Sequence, residues 1–130
     1  MNTDILFFIG RLILGSFLLY NAYGHLLKTN DLIGYAESKK VSNARIAVIV
    51  SGLLLLFGGY TIIAGVRVTA GIIALVIFFV PVSFVMHAFW KEEGQARMMD
   101  QVQFMKNSAL LGAILMLLAI PTPWPLSLGS

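Results

Sequence analysis

The chain has 130 residues, of which 58% are hydrophobic and 12% charged; soluble domains carry about 25% charged residues. That composition excludes a soluble domain with a solvated face and leaves no room for a second domain. The formal charge of +3 comes from cations lying between apolar blocks, without the clustered basic face that nucleic-acid binding needs, and the lack of cysteine excludes disulfides, thiolate chemistry and iron–sulfur ligation within the chain.

Met1-Asn2-Thr3-Asp4 carries no basic n-region, and no small-residue cleavage motif follows the first apolar block. No removable signal peptide is therefore expected. A bilayer core of about 30 Å takes about 20 apolar residues as a helix. The pattern predicts an all-α membrane protein, one four-helix transmembrane domain over residues 1–130, with spans at about 5–27, 44–66, 68–90 and 104–120.

The first block holds Arg11 near its start, close enough to snorkel to the nearer interface. Asn21 and His25 lie near its end, with Tyr20 and Tyr23 as an interfacial belt. Residues 28–43 are polar with a weak apolar face, which predicts a short surface helix capped by Asn30 or Asp31. In the second block Ser51, Gly58 and Gly65 recur every seven positions, with Gly52 and Gly59 beside them. Such stripes let helices approach closely in lipid. The short Gly65–Val68 connection predicts an antiparallel hairpin with the next block.

Residues 68–90 contain no charge. Pro81 lacks an N–H, frees the carbonyl of Ile77 and should kink the helix. The block ends on His87, Phe89, Trp90 and Lys91. Residues 91–103 read as a second polar connection. The last block opens with Lys106 and Asn107, carries the small pair Ser108 and Gly112, and stops at Pro121, Pro123 and Pro125, with Trp124 as an interface anchor.

Four spans place both termini on one side. The two long connections hold Lys28, Lys39, Lys40, Arg45, Lys91, Arg97 and Lys106, against Arg11 and Arg67 on the other side. Because inward-facing loops carry the excess of Lys and Arg, the termini are expected outside and the long connections inside the cytoplasmic membrane.

That topology gathers Asn21, His25, His87, Trp90, Lys106 and Asn107 at one depth as a candidate ligand-binding set, with no catalytic residue assigned. Polar groups within a membrane are costly and are functional candidates by default. A quinone headgroup suits hydrogen-bond donors beside flat aromatics. In that reading His87 donates to a quinone oxygen and Lys106 stabilises the reduced oxyanion. Haem would need His25 and His87 as facing axial ligands, with no other feature in support. A metal site is not expected, since the spans hold neither Cys nor carboxylate.

These residues resemble the DoxX family over nearly the whole chain. The resemblance rests on Arg11, Tyr23-Gly24-His25, the Gly-rich stretch Gly52 to Gly65, His87-Ala88-Phe89-Trp90 and Phe104-Met105-Lys106-Asn107. It implies a four-helix membrane bundle and a link to quinone-coupled oxidation, as in relatives named as subunits of thiosulfate:quinone oxidoreductase. Relatives often carry Lys where His25 stands and an acidic residue where Ser51 stands, so a charged pair available to them is missing here. The expected function is the membrane subunit of a quinone-linked oxidoreductase, working with a soluble redox subunit. The rival expectation is a non-enzymatic anchor or assembly partner whose basic loops dock that subunit. A small-solute carrier ranks last, as no inverted repeat is evident. The small-residue stripes also suit a homo-oligomer.

Overall fold

The structure, a computed structural model, describes residues 2–129. Five helices follow in order: α1 Thr3–Leu27, α2 Thr29–Ser38, α3 Ala44–Ala64, α4 Val68–Val85 and α5 Gly94–Met116. There is no strand among the described residues. Four of the helices are long and apolar enough to cross a membrane. Their outward faces are apolar too: Ile13, Leu53, Leu56, Ile73 and Leu115 are all exposed. Water would not tolerate so continuous an apolar surface, whereas hydrocarbon matches it.

α1 packs on α3, α3 on α4 and α4 on α5. α1 and α5 share at most a marginal contact, which leaves one flank of the bundle open. The core is built from Leu18, Leu55, Ile62, Ile72, Leu75 and Ile114. Glycines set its tightness. A Cβ on Gly15 would meet Ile63, and one on Gly71 would lie 1.7 Å from Thr61 Oγ1. The predicted glycine stripe does not act as one face: Gly52 and Gly59 meet α1, whereas Gly58 meets Leu75 of α4. Gly112 meets nothing within 4 Å. The α3–α4 hairpin turns through left-handed backbone at Gly65 and Arg67 (φ 73° and 47°).

The two ends of the bundle differ. One end holds the start of α1, the α3–α4 turn and residues 121–128, tied back by the Leu128 N–H on the Ala64 carbonyl. Here Arg11 departs from the expected snorkel. It is 2% exposed and donates to the carbonyls of Ile62 (2.9 Å), Ile63 (2.7 Å), Pro125 and Leu126. The last turn of a helix leaves carbonyls without intrahelical donors, and the guanidinium fork supplies those of α3. Phe7, Phe8 and Trp124 surround it. Trp124 is likewise no interface anchor: it is buried, and its indole N–H donates to the Ile120 carbonyl.

At the other end, helix limits depart from the hydropathy pattern. α2 starts at Thr29 after Lys28, with no side-chain cap from Asn30 or Asp31. Pro81 lies within α4, which ends at Val85, so His87 sits in a turn and Trp90 in a 3-10 turn over Phe89–Lys91. α5 starts ten residues earlier than the pattern implies, and Lys106 and Asn107 fall near its middle instead of at its start. The reason is an inverted amphipathic helix. Asp100, Gln103 and Asn107, at i, i+3 and i+7, turn inward, while Met98, Val102 and Met105 are exposed.

Candidate functional site

The α2 end holds a half-open cavity of about 310 Å³. α1 contributes Phe17, Asn21 and His25, α2 contributes Leu32 and Tyr35, and α3 contributes Val48, Ser51 and Leu55. α4 adds Ile77, Phe78 and Pro81, the following turn His87, and α5 Gln103, Lys106 and Asn107. The walls are thus mainly apolar, with a few convergent polar groups, as in small-molecule sites generally. Pro81 cannot donate to Ile77, so the wall carries a carbonyl without its helical partner. Lys106 stands at the open flank between α1 and α5, its ammonium 5.6 Å from the Phe17 ring centre and donating to Gln103 (2.7 Å).

Five of the six residues expected to share a site therefore line this cavity. Trp90 does not: it belongs to a ring cluster with Phe84, Phe89 and Phe104, centroids 5.3–6.0 Å from its own. Lys28 also lies away from the cavity, in a shallow groove with Asp31 and Arg45.

Each histidine is fixed by a different acceptor. His25 Nδ1 is 2.8 Å from the Asn21 carbonyl oxygen. A carbonyl only accepts, so Nδ1 carries the proton and donates. The ring stands edge-on to Phe78. His87 Nδ1 is 3.2 Å from Asp100 Oδ1, where the carboxylate accepts. Asn107 is 6% exposed and lines the cavity, and since no buried side-chain nitrogen or oxygen among the described residues lacks a hydrogen-bond partner, its amide opens into the hollow.

Asp100 is the residue that the sequence reading missed, since it placed residues 91–103 in a loop and no carboxylate inside the spans. It is 5% exposed on α5. It accepts from Lys39 Nζ at 2.6 Å through Oδ2, and from His87 and, at 3.4 Å, the Tyr35 hydroxyl through Oδ1. Lys39 also donates to Glu92. This cluster ties both long connections to α5. Burial alone would lower the Lys39 pKa, but the hydrogen bonds to Asp100 and Glu92 outweigh it and hold the pKa above its ordinary value. Burial and the Asp100 charge push the Tyr35 phenol upward. The inward polar stripe at positions 100, 103 and 107 was the available signal.

Chemically, the cavity can seat a flat ring against its apolar wall and meet ring oxygens with imidazole, amide and ammonium groups. A family model described as DoxX matches residues 6–88, more than half of the chain. Comparison with curated proteins and with solved structures gives no match. With four apolar helices of membrane-spanning length and that match, the chain is an integral membrane protein belonging to the DoxX family.

Proposed function

We propose that this protein is the membrane subunit of a quinone-linked oxidoreductase and holds a quinone headgroup in the cavity at the α2 end. The observation that carries this reading is the convergence of Asn21, His25, His87, Lys106 and Asn107 on one mainly apolar hollow. The ring would lie against Phe78 and Leu55. Its oxygens would meet the polar groups, and its tail would leave between α1 and α5 into lipid. The reading places the α2 end on the cytoplasmic side of the cytoplasmic membrane and both termini outside. Of the two cations at the terminal end, Arg11 is enclosed by carbonyls, which sharpens the charge asymmetry between the ends. A soluble redox subunit at the inner face would exchange electrons with the headgroup.

The test is a binding titration of the purified protein with a short-tailed ubiquinone by equilibrium dialysis. Saturable binding is expected, weakened about ten-fold or more by the pair His25→Ala and His87→Ala, as for loss of two hydrogen bonds. Absence of saturable binding ends the reading. If co-purification of a soluble partner instead depends on charge at Lys28, Lys40, Lys91 and Arg97, the anchor role replaces it. Lys39 is not available for such docking, being committed to Glu92 and Asp100.

A further inference from the structure

Resting on that reading, we propose that the cavity selects the reduced, hydroxylated form of the ring over the oxidised carbonyl form, and that Asp100 is the positioning residue that sets this preference. Both histidines in the chain spend Nδ1 on an acceptor: His25 on the Asn21 carbonyl and His87 on Asp100. A neutral imidazole has one N–H and one lone pair. With the proton held at Nδ1, the remaining ring nitrogen, Nε2, is an acceptor in both. The carbonyl of Ile77, itself a lining residue, is left without its helical donor by Pro81 and is a further acceptor. One of the two Asn21 amide N–H groups already donates to the Phe17 carbonyl at 2.8 Å.

A quinone offers only carbonyl acceptors and would face lone pairs at both imidazoles. A quinol offers two O–H donors and satisfies them. The N–H groups of Lys106 not given to Gln103, the second amide N–H of Asn21 and the Asn107 amide can serve the second lone pairs of the same hydroxyl oxygens. The geometry thus reverses the donation from His87 that a quinone would require.

Asp100 controls the tautomer because a carboxylate accepts only. Asp100→Asn places an amide there that can donate to Nδ1, which allows the proton to sit on Nε2. The shape of the pair survives, and its hydrogen-bond polarity does not, as when a triad aspartate becomes asparagine.

The experiment uses the full chain, purified without a polyhistidine tag, at about pH 8, above the ordinary imidazole range. Dissociation constants are measured for a short-tailed ubiquinol and for the matching ubiquinone, and ¹⁵N spectra of the histidine rings are recorded. The expected result is quinol binding tighter by about ten-fold, the worth of one or two hydrogen bonds, with both rings as Nδ1–H tautomers. Asp100→Asn should abolish or reverse that ratio and convert one ring to the Nε2–H form, which loss of a purely structural contact would not do.

Equal affinities, tighter quinone binding, or an unchanged ratio in Asp100→Asn overturns the inference while leaving the quinone site standing. Binding of neither probe overturns both. If Asp100→Asn does not accumulate, the spectra of the unaltered protein decide. The chain has two histidines and both are expected in one form, so an Nε2–H ring refutes the proposal without assignment.

Discussion

At the terminal end, Arg11 meets four carbonyls and three aromatic rings. At the α2 end, Asp100 meets three donors and stands one residue away from a hollow, with His87 between. Both are buried charges in a membrane protein, and both are fully partnered. What separates them is the neighbour. Arg11 closes its shell with backbone and three aromatic rings, so its charge is spent on holding the C-terminal segment to α3. Asp100 passes its influence to an imidazole whose other nitrogen is unspent. A charge whose partners are all protein is architecture. A charge whose partner still has a free lone pair can act on a ligand through it, as the proposed function supposes.

The largest effect is expected where the shell is closed. Arg11→Leu removes donors from carbonyls of α3 and of residues 125 and 126 at once. Charge-assisted hydrogen bonds contribute about 1.5–3 kcal/mol each, so a loss of at least about 3 kcal/mol is expected in thermal or denaturant unfolding followed by circular dichroism. Arg11→Lys should recover less than half, because an ammonium lacks the planar fork. A stability within about 1 kcal/mol of the parent would show that the terminal end is not held by this residue.

Next in size is the contact between α3 and α4 close to their turn. Gly71→Ala drives a methyl against Thr61 Oγ1, and overpacking of that kind costs about 1–3 kcal/mol. Gly112→Ala meets nothing within 4 Å and should be neutral or gain up to about 1 kcal/mol from helix propensity. Equal effects at the two glycines would contradict the described packing of α3 on α4.

The membrane bundle and much of the cavity lining were legible in the sequence because they follow from apolar length and from polar residues placed within it. Asn21 and His25 share a helix face by spacing alone, and His87 follows a long uncharged block. Asp100 was not legible for a physical reason. Hydropathy assigns polar residues to the outside, but in lipid the ordering inverts on a helix that lines a cavity, and Asp100, Gln103 and Asn107 point inward beneath an exposed methionine face. Arg11 was misread for a related reason. Its carbonyl partners lie more than fifty residues away along the chain, and no local pattern shows them. Trp90 was misplaced because α4 stops at Val85 and the chain turns before the short helical turn Phe89–Lys91 that carries it.

The ion cluster at the α2 end should announce itself at alkaline pH. Lys39 and Tyr35 both hold their protons more firmly folded than unfolded. Their contribution to stability is complete below the unfolded values, about 10 for both, and is lost as pH rises through the higher folded ones. Unfolding midpoints should therefore change little on account of these groups from neutrality to about pH 10 and fall above it. Lys39→Met should remove part of that alkaline slope. In a spectrophotometric titration, one of the four tyrosines should ionise late, and Tyr35→Phe should delete that late step. A titration with all tyrosines ionising together would dissolve the cluster as described.

The smallest expected change in stability carries the sharpest contrast between the two ends. Asn107 is 6% exposed as a residue, yet no buried side-chain nitrogen or oxygen among the described residues lacks a hydrogen-bond partner, so its amide faces the cavity and not a sealed core. An amide that opens into a cavity ties no helix to another, and the apolar wall beside it still strips part of its hydration. Asn107→Leu, similar in volume, should therefore leave stability unchanged or raise it by about 1 kcal/mol, while weakening quinol binding several-fold. The opposite pattern, lost stability with binding intact, would make Asn107 a relative of Arg11: a residue that holds the helices together and owes nothing to a ligand. Stability gained together with affinity lost would mark Asn107 as a group kept for function against its own energetic interest.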